Sequence, residues 1–502
     1  MSAIPHHRIA IVGSGFSGLG MAIRLKQDGI HDFVVLERAE DVGGTWRDNT
    51  YPGCACDVPS NLYSFSFAPN PDWSRTFSPQ PEIWEYLRRV SREHGVEQHI
   101  RYSHEVTAAR WDADAELWRI ETSGGDFSAE VLVVGPGPLS DPKLPDIDGI
   151  DSFEGTIFHS AHWNHDHDLD GERVGVIGTG ASSIQLVPRI QPLLGRLHVF
   201  QRTPPWIVPH RDRPTSRLER RLYRALPAAQ QLVRGAVYCA RELFVLPLMR
   251  PREGSLPERL AHKHLREQVA DPQLRARLQP SYRIGCKRIL ISNEYYPALQ
   301  QPNVEVVTDS ISAITPRGIV TADGAERELD TIILGTGFHV TDMPVAEWIH
   351  GADGRKLTDT WQGSPEAYLG TAVAGFPNLF LLVGPNTGLG HNSIVFMIES
   401  QIHYLMECLR FMDRGGLHLV EVRDEVQRRY NVEIQQRLQG TVWNSGGCAS
   451  WYIDENGRNT TIWPGSTWPF RRRLRRFAPG DYHLRPRTGP VARPPGPSPA
   501  FA

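Results

Sequence analysis

Short, continuous apolar runs punctuate the chain, and several of them end on glycine. Ile9 to Val12 runs into Gly13, Val131 to Val134 into Gly135, Val174 to Ile177 into Gly178, Thr331 to Leu334 into Gly335, and Leu379 to Val383 into Gly384, while Phe33 to Leu36 stops at Glu37. Runs that are apolar throughout, rather than alternating, predict strands buried on both faces. Helical patterning fills the intervals: Leu19 to Lys26, residues 82 to 94 with Trp84 and Leu87 turned inward, and Ser393 to Met406. Residues 104 to 134 read as a meander, and residues 211 to 280, dense in Arg, Leu, Ala and Glu, as several inserted helices.

Two of the glycine turns carry nucleotide-binding chemistry. Gly13, Gly15 and Gly18 follow a strand and open a helix, as do Gly178, Gly180 and Ser183. The small residues allow a tight turn, close approach of a phosphate, and packing of helix on strand. The pattern predicts an α/β protein with two Rossmann-like dinucleotide-binding domains. The first spans 1–148 and 368–502, the second 149–208 and 281–367, and the helical insertion 209–280. The break between the first two units falls at Gly135, Pro136, Gly137 and Pro138, followed by Lys143 to Pro145.

Opposite charges stand at matched positions of the two units. Glu37 follows Gly13 by 24 residues (37 minus 13), and Arg202 follows Gly178 by 24 (202 minus 178). A carboxylate suits the ribose hydroxyls of FAD or NAD, whereas Arg202 with the Thr203 hydroxyl suits the 2'-phosphate of NADP, unless Arg202 is a plain surface arginine. Lys287 and Arg288 add two cations beside the apolar stretch Ile289 to Ile291, one able to reach a phosphate and the other a separate site. The loop carrying Gly43, Gly44, Thr45, Trp46, Tyr51, Pro52, Gly53 and Asp57 is too irregular for helix or strand. It reads as an ordered cradle for something flat, with Asp57 a candidate partner for a buried cation. Asn386 sits before the helix at Ser393, whose N-terminus offers backbone donors to a flavin ring or pyrophosphate.

Composition narrows the classes. Fifty-four basic against 57 acidic residues give a formal charge of -3, which argues against a nucleic-acid footprint. No leader and no membrane-spanning run is evident, so a cytoplasmic, small-molecule enzyme is expected. Six cysteines are too few for a disulfide scaffold and favour reduced thiols; Cys54 and Cys56 lack the spacing of metal or redox pairs. The run His165, Asp166, His167 and Asp168 reads as a solvated turn, and no metal is expected. Leu243 to Met249 suits a core, a pocket or a membrane surface, and Arg471 to Arg476 a solvated helical face. Trp443 and Trp451 belong to an aromatic cluster that is either core or pocket wall. The Pro-, Gly- and Arg-rich tail from about 479 reads as disordered.

Between the glycine loops lies Phe153, Gly155, His159 and Trp163. With the Gly43 to Asp57 loop and the run Gly335, Thr336, Gly337 and Phe338, this spacing resembles the type I Baeyer-Villiger monooxygenases, a class B flavin-dependent family, from Arg8 to about Tyr482. Asn164, Pro136 and Gly335 depart from the family pattern. The resemblance implies FAD, NADPH and dioxygen, with a C4a-peroxyflavin attacking a ketone to give an ester or lactone. It implies Arg288 as active-site arginine with Asp57 as its partner, and Lys287, Arg202 and Thr203 as the NADP phosphate clamp. His159 and Trp163 are then linker residues with a conformational role. N- or S-oxygenation on the same scaffold is the alternative, against which Trp163 and the Lys287–Arg288 pair argue.

Overall fold

The apolar runs become the inner strands of two sheets. The computed structural model describes residues 4–135, 137–250 and 252–487, so Pro136 and the chain beyond 487 lie outside the described residues. The first sheet has eight strands. His6–Val12 lies at its centre, between Phe33–Leu36 and Phe127–Val134, all parallel. Val106–Asp112 and Leu117–Thr122 add the antiparallel meander, and Leu379–Leu381 returns from far along the chain to pair with Phe127–Val134. The second sheet is wholly parallel, in the order Val304–Val307, Arg196–Phe200, Arg173–Ile177, Thr331–Leu334 and Thr156–His159.

The two units repeat one local design. In each, the glycine-loop strand sits beside a strand that ends in a further glycine. A Cβ on Gly13 would fall 2.8 Å from the Gly135 carbonyl oxygen, and one on Gly178 would fall 2.4 Å from that of Gly335. Both loop glycines also hold positive φ, 91° and 108°, where side chains are strained. In the first unit the third glycine is obligatory, because a Cβ on Gly18 would lie 1.8 Å from the Gly13 carbonyl.

The second unit redistributes that space. Ser183 holds the third position, and its Oγ would lie 2.2 Å from a Cβ on Gly335. The serine hydroxyl thus takes up the space that a side chain at 335 would need, which accounts for glycine there. Gly335→Ala alone is expected to destabilise the protein by about 1–3 kcal/mol through overpacking. Adding Ser183→Gly should recover most of the lost thermal midpoint.

Four expectations change. Ile349–His350 pairs with Val106–Asp112, and Ile349, Leu357 and Trp361 join the core of the first sheet. Residues 349–367 thus side with the first unit, not the second, because irregularly spaced apolar residues there find their partners only in three dimensions. The chain after 479 is ordered as far as it is described: Tyr482–Pro486 pairs antiparallel with Leu417–Val422, and the Tyr404 hydroxyl donates to that of buried Tyr482 at 3.0 Å. The helix expected over Ser393 to Met406 runs Ile394–Gly415 and stops where Gly416 turns left-handed. Cys286 and Cys448 form a disulfide, contrary to the expectation of reduced thiols; they stand 162 residues apart, so no local spacing announces the pair. Cys54 and Cys56 are free and buried.

The insertion comprises the helices Arg217–Ala225, Pro227–Leu243, Leu256–Gln268 and Pro272–Arg277, with a single turn at Leu246–Met249. Within Leu243 to Met249 the burden is divided, with Val245 and Leu248 buried and Leu243 and Leu246 exposed.

Candidate active site and cofactor cradles

The first cradle lies at the top of His6–Val12. Gly15 caps the helix Phe16–Gln27 without a side-chain hydrogen bond, leaving the first-turn amides for a ligand. Glu37 is buried at the end of its strand, where it accepts hydrogen bonds from the Ser14 amide at 2.8 Å, the Ser14 hydroxyl at 2.6 Å and the Ala39 amide at 3.1 Å. Arg47 pairs at 2.8 Å with Oε1, the oxygen that also accepts from Ala39. The carboxylate is therefore oriented by the protein itself. Past it opens a cavity of about 430 Å³, lined among others by Arg38, Arg47, Thr50, Ser140, His162 and Trp163.

Gly44, at φ 52°, starts the single turn Thr45–Asp48. Trp46 on that turn points inward, its indole donating to the Tyr63 hydroxyl at 3.1 Å. Asn386 is also committed to structure: its amide donates to the carbonyls of Asn459 at 2.8 Å and Ile462 at 3.1 Å, so its side chain holds a loop.

The second cradle repeats the open helix N-terminus at Gly180. Arg202 is exposed and Thr203 half-buried. Lys287, its Nζ 5.4 Å from the Tyr282 ring centre, has a pKa lowered by burial and by the charge of Arg202. An anion placed between the two cations would relieve that repulsion.

Between the cradles, Arg288 grips Asp57 with both arms. Its Nε donates to one carboxylate oxygen and its Nη2 to the other, each at 2.7 Å, and Nη1 donates to the Leu389 carbonyl at 3.0 Å. Burial would push the Asp57 carboxyl up, but the Arg288 charge and hydrogen bonds outweigh it and the pKa is lowered. Burial likewise opposes the Arg288 charge, and Asp57 overcomes it. Both groups stay ionised.

The linker segment comes to the same region. His159 ends the strand Thr156–His159, its Nδ1 accepting from the Ala161 amide at 3.1 Å and its ring edge-on to Phe338 at 5.6 Å. Burial, helped by the His162 charge, lowers its pKa to about 4. The neutral ring packs the linker against the turn after Gly335. Trp163 stands edge-on to Phe158 and reaches the cavity wall. Of the histidine run, His165 bonds Thr50 and His167 bonds Thr331 and Glu172.

The His159 ring has a signed pH consequence. The unfolded side chain titrates at its ordinary 6.5 and the folded one at about 4, so the unfolded state binds more protons between those values. Its contribution is full above 6.5 and is lost as the pH falls toward 4. His159→Gln is expected to flatten the acid limb of the unfolding free energy by about 2 kcal/mol once screening is allowed for, compared with wild type by calorimetry across pH 4 to 7.

Comparison with known proteins agrees with this geometry. Residues 10–231 match the family model described as pyridine nucleotide-disulphide oxidoreductase. A protein of Streptomyces coelicolor named Baeyer-Villiger monooxygenase is 54% identical over 484 residues, covering 96% of this chain and 93% of that one. The chain belongs to the Baeyer-Villiger monooxygenases. Cyclohexanone monooxygenase from Rhodococcus sp. Phi1 bound to NADP+ superposes with a TM-score of 0.86 at 27% identity, covering 97% of this chain and 100% of that one. The complex of OTEMO with FAD and NADP gives 0.85 at 29% identity, covering 96% and 100%.

In this Baeyer-Villiger monooxygenase the structure adds groups that the sequence reading missed. Arg241, on the inserted helix Pro227–Leu243, donates to the Asp57 carbonyl at 3.3 Å and brings a third charge to the pair. Neighbouring Glu242 accepts from Asn392 at 2.5 Å and from the Thr467 amide at 2.8 Å, with His391 at 3.3 Å. That network locks the helix end beside the loop carrying Leu389. The disulfide joins the residue before Lys287 to the loop that bears Trp451 and Tyr452. Trp443 is core, packed on Gly390, while Trp451 is exposed. Nothing in the local sequence sets Arg241 apart from the other arginines of the insertion.

Proposed function

We infer that the protein is an FAD-containing, NADPH- and O2-dependent monooxygenase that converts ketones to esters or lactones. The bidentate Arg288–Asp57 pair, set between two nucleotide cradles of opposite charge character, carries the reading. The residues fit both cofactors. The uncapped helix N-termini and crowded glycines of both cradles admit phosphates and no side chains, and Glu37 is buried and oriented for ribose hydroxyls. FAD, when bound, supplies the hydride acceptor and the oxygen-activating centre.

The chain's own residues do the rest. Gly13, Gly15 and Gly18 would hold the FAD pyrophosphate, Glu37 the ribose, and the Gly44 to Trp46 turn the face beside it. Gly178, Gly180 and Ser183 would hold the NADP pyrophosphate, and Arg202, Thr203 and Lys287 its 2'-phosphate. Arg288 would turn a permanent positive charge toward the reacting oxygen, with Asp57 fixing the plane of its guanidinium. Arg241 keeps the cluster from being neutral overall, since one carboxylate faces two guanidiniums. His159 and Trp163 would act as the hinge and wall that exclude water as the units close. We place the enzyme in the cytoplasm, where NADPH is supplied; cell fractionation checks this.

The test is direct. Purified holoenzyme supplied with NADPH, oxygen and a panel of linear, cyclic and aromatic ketones should give esters one oxygen heavier, read by mass spectrometry with labelled dioxygen. Sulfides and amines in the same panel decide the competing chemistry. NADPH consumption without an oxygenated ketone product across the panel would defeat the reading.

A further inference from the structure

Two stretches that the chemistry leaves unused meet in space. The helix Pro227–Leu243 is bound to the helix Thr467–Arg473 through the Tyr238 and Thr467 hydroxyls, 2.7 Å apart, and through Glu242, which accepts from Thr467. Arg471 stacks over Phe396, which itself stacks on Tyr238. The inserted helices and the arginine-rich segment therefore share one side of the molecule.

That side is apolar where it should be polar. Leu218, Leu222 and Leu226 recur every four residues along Arg217–Ala225 and its end, and Leu232, Ala236, Cys239 and Leu243 share one face of the next helix. All are exposed, and Leu218, Leu222, Leu226, Leu232, Leu243, Leu246 and Trp468 stand 46% to 76% open. Isolated exposed leucines are ordinary, but two successive helices with leucine stripes and a tryptophan beside them are not.

The charge decides what covers this face. Residues 209–280 hold fifteen Arg and Lys against seven Asp and Glu, while the rest of the chain holds thirty-nine against fifty. Arg217, Arg221, Arg471, Arg472 and Arg476 are exposed, and among the described residues none is paired with a carboxylate. Two copies of such a face would repel each other, so a symmetric dimer through it is disfavoured. A basic amphipathic helix face flanked by tryptophan is suited to lie in an anionic lipid interface.

We propose that the inserted helices and the Trp468 to Arg476 segment dock the enzyme on an anionic phospholipid surface. No helix among the described residues is long and apolar enough to cross a membrane, so the association is peripheral. The lipid-facing Leu243 lies two residues from Arg241, which places the docking face next to the active-site cluster.

Flotation of the holoenzyme with vesicles tests this independently of turnover. Binding to phosphatidylglycerol–phosphatidylcholine vesicles, weak binding to phosphatidylcholine alone, and release by salt are expected. The double variant Leu222→Glu with Leu232→Glu should lose about tenfold or more of that binding while keeping FAD content and NADPH oxidation. Cys239 is the exposed free thiol, with Cys54, Cys56 and Cys408 buried, so a polarity-sensitive label there should shift blue on anionic vesicles. Wild type that stays unbound, a double variant that floats equally well, or a leucine-dependent dimer in place of vesicle binding would each overturn the proposal.

Discussion

Arg288→Ala is expected to keep FAD bound and NADPH oxidation running while ester formation falls by about 10²–10³-fold, with the consumed oxygen recovered as hydrogen peroxide. The guanidinium is permanently charged and held by three hydrogen bonds, so its loss removes both the charge and its aim. It also strands Asp57, whose carboxylate burial already disfavours. Leaving this half-buried charge unpaired costs about 1–3 kcal/mol, which lowers yield for reasons unrelated to chemistry. The double variant Arg288→Ala with Asp57→Asn separates the two effects: stability should return and ester formation should not. Arg241→Ala should show the same peroxide leak in milder form, because its guanidinium meets only the Asp57 carbonyl. Ester formation at the wild-type rate in Arg288→Ala would remove the role assigned to that residue.

Arg202→Ala should weaken NADPH by about 10- to 100-fold and leave NADH nearly unchanged, measured as KM for each and as Kd by fluorescence. Arg202 is exposed, so its removal leaves no buried partner behind. The NADPH loss should shrink as salt rises, since the contact is charged and solvent-facing. Lys287 reports the same change from the other side: without Arg202 the repulsion that helps to lower its pKa is gone. Equal losses for the two nucleotides would place the 2'-phosphate elsewhere.

The parts legible in the sequence were those written in neighbouring residues. A strand, a glycine turn and a helix follow one another within about a dozen positions, so both nucleotide units and the Glu37–Arg202 contrast could be read before any coordinates. Arg288 and Asp57 stood out as a cation beside an apolar stretch and a carboxylate in an irregular loop, the resemblance joined them, and their pairing across 231 residues is a tertiary fact. The misreadings share one cause. Ile349–His350 joins the first sheet, Tyr482–Pro486 pairs with Leu417–Val422, and Arg241 reaches Asp57 because distant segments supply what each lacks locally. A Pro- and Gly-rich composition weighed against order near 479, yet the edge of Leu417–Val422 and the buried hydroxyl of Tyr404 outweigh it.

The Cys286–Cys448 bond sets a rule for anyone recombining this enzyme with its relatives. Cys286 directly precedes Lys287 and Arg288, and Cys448 opens the loop that leads to Trp451 and Tyr452. The two loops thus behave as one cassette. A graft that exchanges residues 446–452 alone would leave an orphan thiol beside Lys287, whereas a graft that moves both cysteines together keeps the cationic loop anchored as it is here.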